Sequence, residues 1–161
     1  MGVFDGIVEE IKTVLAEDPT LSDIHFVNAH RIDAKPSPIK DIYVTLGLSG
    51  VETSSGAFGD YFGRKNGNDL FGKSGRVSIS CKIHCPQTMD GSSCSEVFSR
   101  ICNSLMLDDS MHQIESIICK GVSFENKSGA FVLDCTIKLR VFIGSTVDET
   151  EVSDIVVKEI M

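Results

Sequence analysis

Two segments of this chain alternate between apolar and polar residues with a period of two: RVSISCKIHC at 76–85 and FVLDCTIKLRVFI at 131–143. In the first, Val77, Ile79, Cys81, Ile83 and Cys85 share one side, and Arg76, Ser78, Ser80, Lys82 and His84 share the other. In the second, Phe131, Leu133, Cys135, Ile137, Leu139, Val141 and Ile143 oppose Asp134, Thr136, Lys138 and Arg140. Successive side chains of a strand point to opposite faces, so both segments are strands with one buried and one wet side. A sheet built from them has an apolar face that must be covered.

Two helical patterns supply the cover. From residue 2 to about 16, Phe4, Ile7, Val8, Ile11, Val14 and Leu15 recur at helical spacing, opposite Asp5, Glu9 and Glu10. Pro19 stops that helix. A second helix is predicted from Ser93 to about Leu107, with Cys94, Val97, Phe98, Ile101 and Leu105 on its apolar side. Ser93 and Glu96 have the spacing of a capping box at its start.

Further strands are predicted at IHFVNAHRI, where the alternation is poor, and at IYVTLGL, where Ile42, Val44, Leu46 and Leu48 face one way. Residues 112–125 read as a strand with a bend or bulge at Gly121, or as a short helix from Ser110 followed by a strand. NKSG is a hairpin turn. The expected fold class is α+β: a mostly antiparallel sheet with two helices packed on one face and a long Gly-rich loop.

That loop is residues 49–75, which hold seven of the fourteen glycines and show no lasting period. Phe58, Tyr61, Phe62 and Phe71 are embedded in it. Aromatic side chains in a flexible stretch need something to cover them, so these four are the subunit-interface candidates. The alternative is that they fold back onto their own domain. Residues 144–161 read as an acidic C-terminal extension, whose Ile155, Val156, Val157 and Ile160 suggest that its end docks. At 161 residues the chain is expected to form one domain, large enough to fold without metal or disulfide.

Composition narrows the function classes. A net charge of −8 argues against non-specific nucleic-acid binding, and no stretch approaches the roughly 20 apolar residues of a membrane span. The acidic N-terminal stretch does not resemble a signal peptide, which points to an intracellular protein with its six cysteines reduced. On a regular strand Cys81 and Cys85 lie roughly 13 Å apart and His84 faces away from both, so CKIHC is no local chelate. Cys94 and Cys102, eight residues apart on a helix, are about 12 Å apart and share no local site either. The thiols read as small buried apolar groups. There is no phosphate-binding glycine motif and no G-x-S-x-G nucleophile elbow, and His25, His30, His84 and His112 stand in no metal-ligand spacing. No cofactor and no catalytic residue is predicted, leaving open a Cys–His pair assembled in three dimensions.

The order of these elements resembles the tail terminator proteins of long-tailed phages, including lambda-like terminators and the tail-to-head joining proteins of phages of Gram-positive hosts. The segments that carry the resemblance are GVFDGIVEEIKTVLAED, IKDIYVTLGL, RVSISCKIHCP followed at once by SEVFSRICNSLM, and FVLDCTIKLRVFI, spanning about residues 1–143. The resemblance implies a non-enzymatic structural protein forming a ring, with a hexamer as the expected number. Such a ring sits on the head-proximal end of a tail tube, stops its growth and joins it to the neck. Headless phage-tail-like bacteriocins use the same part as an end cap. The implied partners are copies of itself, the tail tube protein, and sheath or neck proteins, with no membrane and no sequence-specific nucleic acid. The implied location is the bacterial cytoplasm during assembly, and then the particle. Two other classes remain: another tube, neck or sheath-associated subunit, and a small enzyme or ligand-binding domain with a site under the Gly-rich segment.

Overall fold

The computed structural model describes residues 4–29, 38–55, 61–65, 67–107, 114–147 and 152–159. It is an α+β fold. Helix α1 (Asp5–Glu17) is followed by a 3-10 turn (Pro19–Leu21) and strand β1 (Ile24–Asn28). Then come β2 (Ile42–Ser55), β3 (Tyr61–Lys65), β4 (Asn68–Pro86), α2 (Ser92–Met106), β5 (Ile114–Glu125), β6 (Ala130–Val147) and β7 (Val152–Glu159). The strands form one seven-stranded sheet in the order β1-β2-β4-β6-β5, with β3 added to β4 and β7 added to β6. β1 runs parallel to β2, and every other pairing is antiparallel.

β4 and β6 form the spine, paired without interruption from Asp69↔Val147 to Pro86↔Ala130. The alternation read from the sequence therefore meets itself across the pair: Val77 lies opposite Leu139, Ile79 opposite Ile137, and Cys81 opposite Cys135. All six are buried, and with Val44 and Leu46 of β2 they make the apolar floor. Onto this floor α1 sets Ile7, Val8, Ile11 and Leu15, and α2 sets Cys94, Val97, Ile101 and Leu105, each series at three- and four-residue steps. Full burial of one such isoleucine or leucine contributes about 2 kcal/mol, so the paired rows and the two helix stripes dominate the stability of the fold.

Two details differ from the sequence expectation. The capping box does not form: α2 starts one residue earlier, after Gly91, and no side chain caps it from that position. Asp90 takes over, its carboxylate accepting from Ser92 N–H at 3.3 Å and its carbonyl from Ser93 N–H at 2.9 Å. The second difference is the Gly-rich stretch 49–75, which is mainly strand. β2 continues to Ser55 and β4 begins at Asn68, with Ser55 opposite Lys73. Backbone hydrogen bonds hold these rungs and need no apolar period. A register shift between Leu48 and Gly50 also breaks the alternation a strand would show. Gly67, at φ 83°, supplies the left-handed turn between β3 and β4, and the Asn66-Gly67 dipeptide is the hairpin signal in the sequence. The acidic extension docks, as its apolar residues suggest: β7 pairs with the end of β6 from Val141↔Glu159 to Val147↔Val152.

The bulge expected at Gly121 is present, since the β5–β6 register shifts between Cys119 and Val122. So is the NKSG turn, where Gly129 takes φ 59° and its carbonyl accepts from Gln87 N–H at 3.2 Å. Ser110, where an alternative helix could start, lies outside the described residues.

Candidate subunit interface

Three of the four aromatics picked from the sequence fall in one hairpin. Phe58 lies outside the described residues. Tyr61 and Phe62 stand in β3 and Phe71 in β4, with Tyr61 and Phe71 as register partners. A salt bridge of 2.9 Å between Arg64 and Asp69 closes this hairpin near its turn. The three aromatics thus belong to an ordered hairpin at the far end of the sheet, not to a loop. From this hairpin β4 continues as one strand to Pro86.

A second surface was not legible in the sequence. β5 is an edge strand, bonded among the described residues only to β6. Its Ile118, Val122 and Phe124 are 49%, 40% and 46% exposed. α2 runs alongside and ends on the exposed Met106 and Leu107, the latter 78% exposed. Phe124 meets Phe131 edge-on, with ring centroids 5.3 Å apart, so its ring is held in place while one side stays open to solvent. A long edge with unpaired backbone groups is a template for pairing with another chain. The two bulges, between Ile114 and Ser116 and between Cys119 and Val122, together with the exposed Lys120 restrict that pairing to a partner of the right shape. The signal available beforehand was weak, because IESIICKGVSFE has apolar residues on both sides and edge position is a property of topology.

The face of the sheet away from the helices is charged. Glu115 holds two guanidinium groups, with Arg140 Nε at 2.9 Å and Arg76 Nε at 3.2 Å. These groups, with Glu52 and Lys138, line a groove of 420 Å³. Its charges largely compensate one another, so the groove reads as an ion network that holds β4, β5 and β6 in register. On the same face His84 lies 3.4 Å from Thr45, and His25 stacks on Tyr43 at 4.8 Å. Both histidines are thus on the side opposite the thiols of Cys81 and Cys85, and neither forms a Cys–His pair with them. His30 and His112 lie outside the described residues.

The thiols divide by depth. Cys81, Cys85, Cys94 and Cys135 are buried, Cys102 is half-buried, and Cys119 is exposed. Cys81, Cys135 and Cys119 form a row across β4, β6 and β5. Burial pushes the Cys81 thiol up to about 12, and it raises Cys135 and Cys102 as well. The Cys85 thiol is raised by its hydrogen bond with Cys94, a pair the fold brings together, and by burial. Thiols held protonated in this way are poor nucleophiles and poor metal ligands. Among the described residues no group of His, Cys, Asp and Glu is placed to hold a metal ion, and no helix is long and apolar enough to cross a membrane. Compared with known proteins, the sequence matches no family model and no curated protein.

Proposed function

We propose that this chain is a structural subunit that associates with copies of itself into a closed ring. We further propose that the ring caps the head-proximal end of a phage or phage-like tail tube, stopping its polymerisation and joining it to the neck. The observation that carries the first part is the β5 edge, where Ile118, Val122 and Phe124 remain exposed on a strand with one side unbonded among the described residues. Apolar side chains on an open edge favour association with another chain. The second part rests on the resemblance in element order. The partners are then copies of the chain, a tail tube protein and neck or sheath proteins, and the site of assembly is the bacterial cytoplasm. The arm carrying Tyr61, Phe62 and Phe71 offers a second contact region, and the ordered hairpin favours it by lowering the entropy lost on docking.

Negative-stain images and light scattering of the purified protein, alone and mixed with assembling tail tubes, test this reading. Closed single rings bound at one end of each tube are expected. Open-ended polymers of the chain itself would instead make it a tube component. A protein that stays monomeric and ignores the tubes would end the proposal. Replacing Phe58, Tyr61, Phe62 and Phe71 by Ser tests the arm, and rings that persist unchanged would exclude it as the interface.

A further inference from the structure

Two thiols meet where the chain passes from β4 into α2. Cys85 is the last residue but one of β4 and Cys94 the third of α2, with residues 86–93 between them. The Sγ of Cys94 donates to the carbonyl oxygen of Phe131 at 3.5 Å. Phe131 is the register partner of Cys85, so the helix thiol is seated on the rung that carries the strand thiol. The two side chains are hydrogen-bonded to each other, and neither has exposed surface.

The two sulfurs are not equivalent. Cys94 stands in the first turn of α2, where the free N–H groups of the helix favour negative charge. The hydrogen bond from Cys85 holds the Cys94 thiol below its ordinary value, whereas the same contact and burial push the Cys85 thiol up. One sulfur is thus prepared to react as a thiolate, and the other arrives second with its proton. The other buried thiols, Cys81 and Cys135, lie opposite each other in the apolar floor, and burial raises both, so neither supplies a thiolate.

We propose that Cys85 and Cys94 form a dithiol site that a peroxide oxidises to a disulfide, clamping the start of α2 to the end of β4. The Cys94 thiolate attacks one oxygen of hydrogen peroxide, the O–O bond breaks, and the departing hydroxide takes up a proton to leave as water. The Cys85 sulfur then attacks the resulting sulfenic acid, whose hydroxyl leaves as water with the Cys85 proton. Two thiols and one peroxide become one disulfide and two waters. Residues 87–90 are exposed and lead directly into α2, so opening of its first turn admits a molecule as small as peroxide while a bulky thiol reagent is held out. The inference goes beyond the ring reading and stands apart from it, because the bridge lies within one subunit and needs no partner.

Peptide mapping of the full chain tests it. The folded protein is treated with hydrogen peroxide at neutral pH, free thiols are blocked, and peptides are read by mass spectrometry without reduction. A Cys85–Cys94 bridge that dithiothreitol reverses is expected, formed about tenfold or more faster than any bridge at the other thiols. The short loop it closes should raise the melting temperature by about 5–10 °C over the reduced protein. In Cys85→Ser the sulfenic acid on Cys94 has no second thiol to meet and should be captured by dimedone, whereas Cys94→Ser should leave Cys85 a free thiol. A bridge between Cys81 and Cys135 or between Cys102 and Cys119 in its place would overturn the proposal. So would a Cys85–Cys94 bridge that forms only in urea, a melt that the bridge leaves unchanged, or a folded Cys85→Ser protein without the dimedone adduct. Should a serine variant fail to fold, the wild-type map and melt still decide.

Discussion

Arg100, on α2, reaches across to Asp23, just before β1, with a nitrogen to carboxylate distance of 2.6 Å. The same guanidinium donates to the carbonyl of Thr20. One side chain therefore joins the second helix to the turn that ends the first, across 77 residues of sequence.

Asp23 is held below its ordinary 3.8, first by the hydrogen bond from Arg100. A carboxylate lowered in the folded state contributes stability that is present above 3.8 and is lost as pH falls through its folded value. Asp23→Asn should cost about 0.5 kcal/mol at neutral pH, the scale of an exposed ion pair. The cost should shrink as pH drops below 3.8. Urea unfolding of wild type and variant between neutral pH and pH about 2.5 checks both points; a gap that stays constant would assign the effect to something other than this pair.

Ile79 and Ile137 are register partners on β4 and β6, both with no exposed surface. Ile137→Ala should destabilise by about 2–5 kcal/mol, since the paired strands and α2 around the site can collapse only in part. Ile118→Ala, on the exposed edge, should change monomer stability by less than about 0.5 kcal/mol. Denaturant midpoints of the two variants separate core from surface.

Gly129 holds φ 59° in the β5–β6 turn, where an added Cβ would meet only ordinary contacts, at 3.8 Å from Gln87 and Pro38. Gly129→Ala should therefore cost about 1 kcal/mol through backbone strain alone. Gly50, on β2, has open space around it and no positive φ, so Gly50→Ala should be close to neutral. Thermal melts of both variants distinguish strain from crowding.

Of the six thiols, Cys119 is the exposed one, and burial raises Cys81, Cys102 and Cys135. A thiol reagent at pH 7.5 should therefore label one site fast and the buried thiols only as the protein opens. Cys119→Ser should remove the fast phase without changing the melt. A fast phase that survives would expose a reactive buried thiol and revive the enzyme reading.

Much of the fold was written in the periodicity. The alternating runs at 76–85 and 131–143 became paired rows of β4 and β6, and the apolar positions of both helices became the buried stripes of α1 and α2. The stretch from Ser49 to Gly75 was misread as a loop because glycine and serine leave no pattern when only the backbone is paired. Ser93 and Glu96 had the spacing of a cap, yet Asp90 sat nearer the first free N–H groups of the helix.

Local pattern determined the buried rows of β4 and β6 and the buried stripes of α1 and α2, because side-chain period is a property of neighbours in the chain. Only the tertiary structure decided that β5 lies at an edge of the sheet and that β7 lies along β6. Strand order depends on which distant segments bond to each other. An edge exists only once the rest of the sheet is in place.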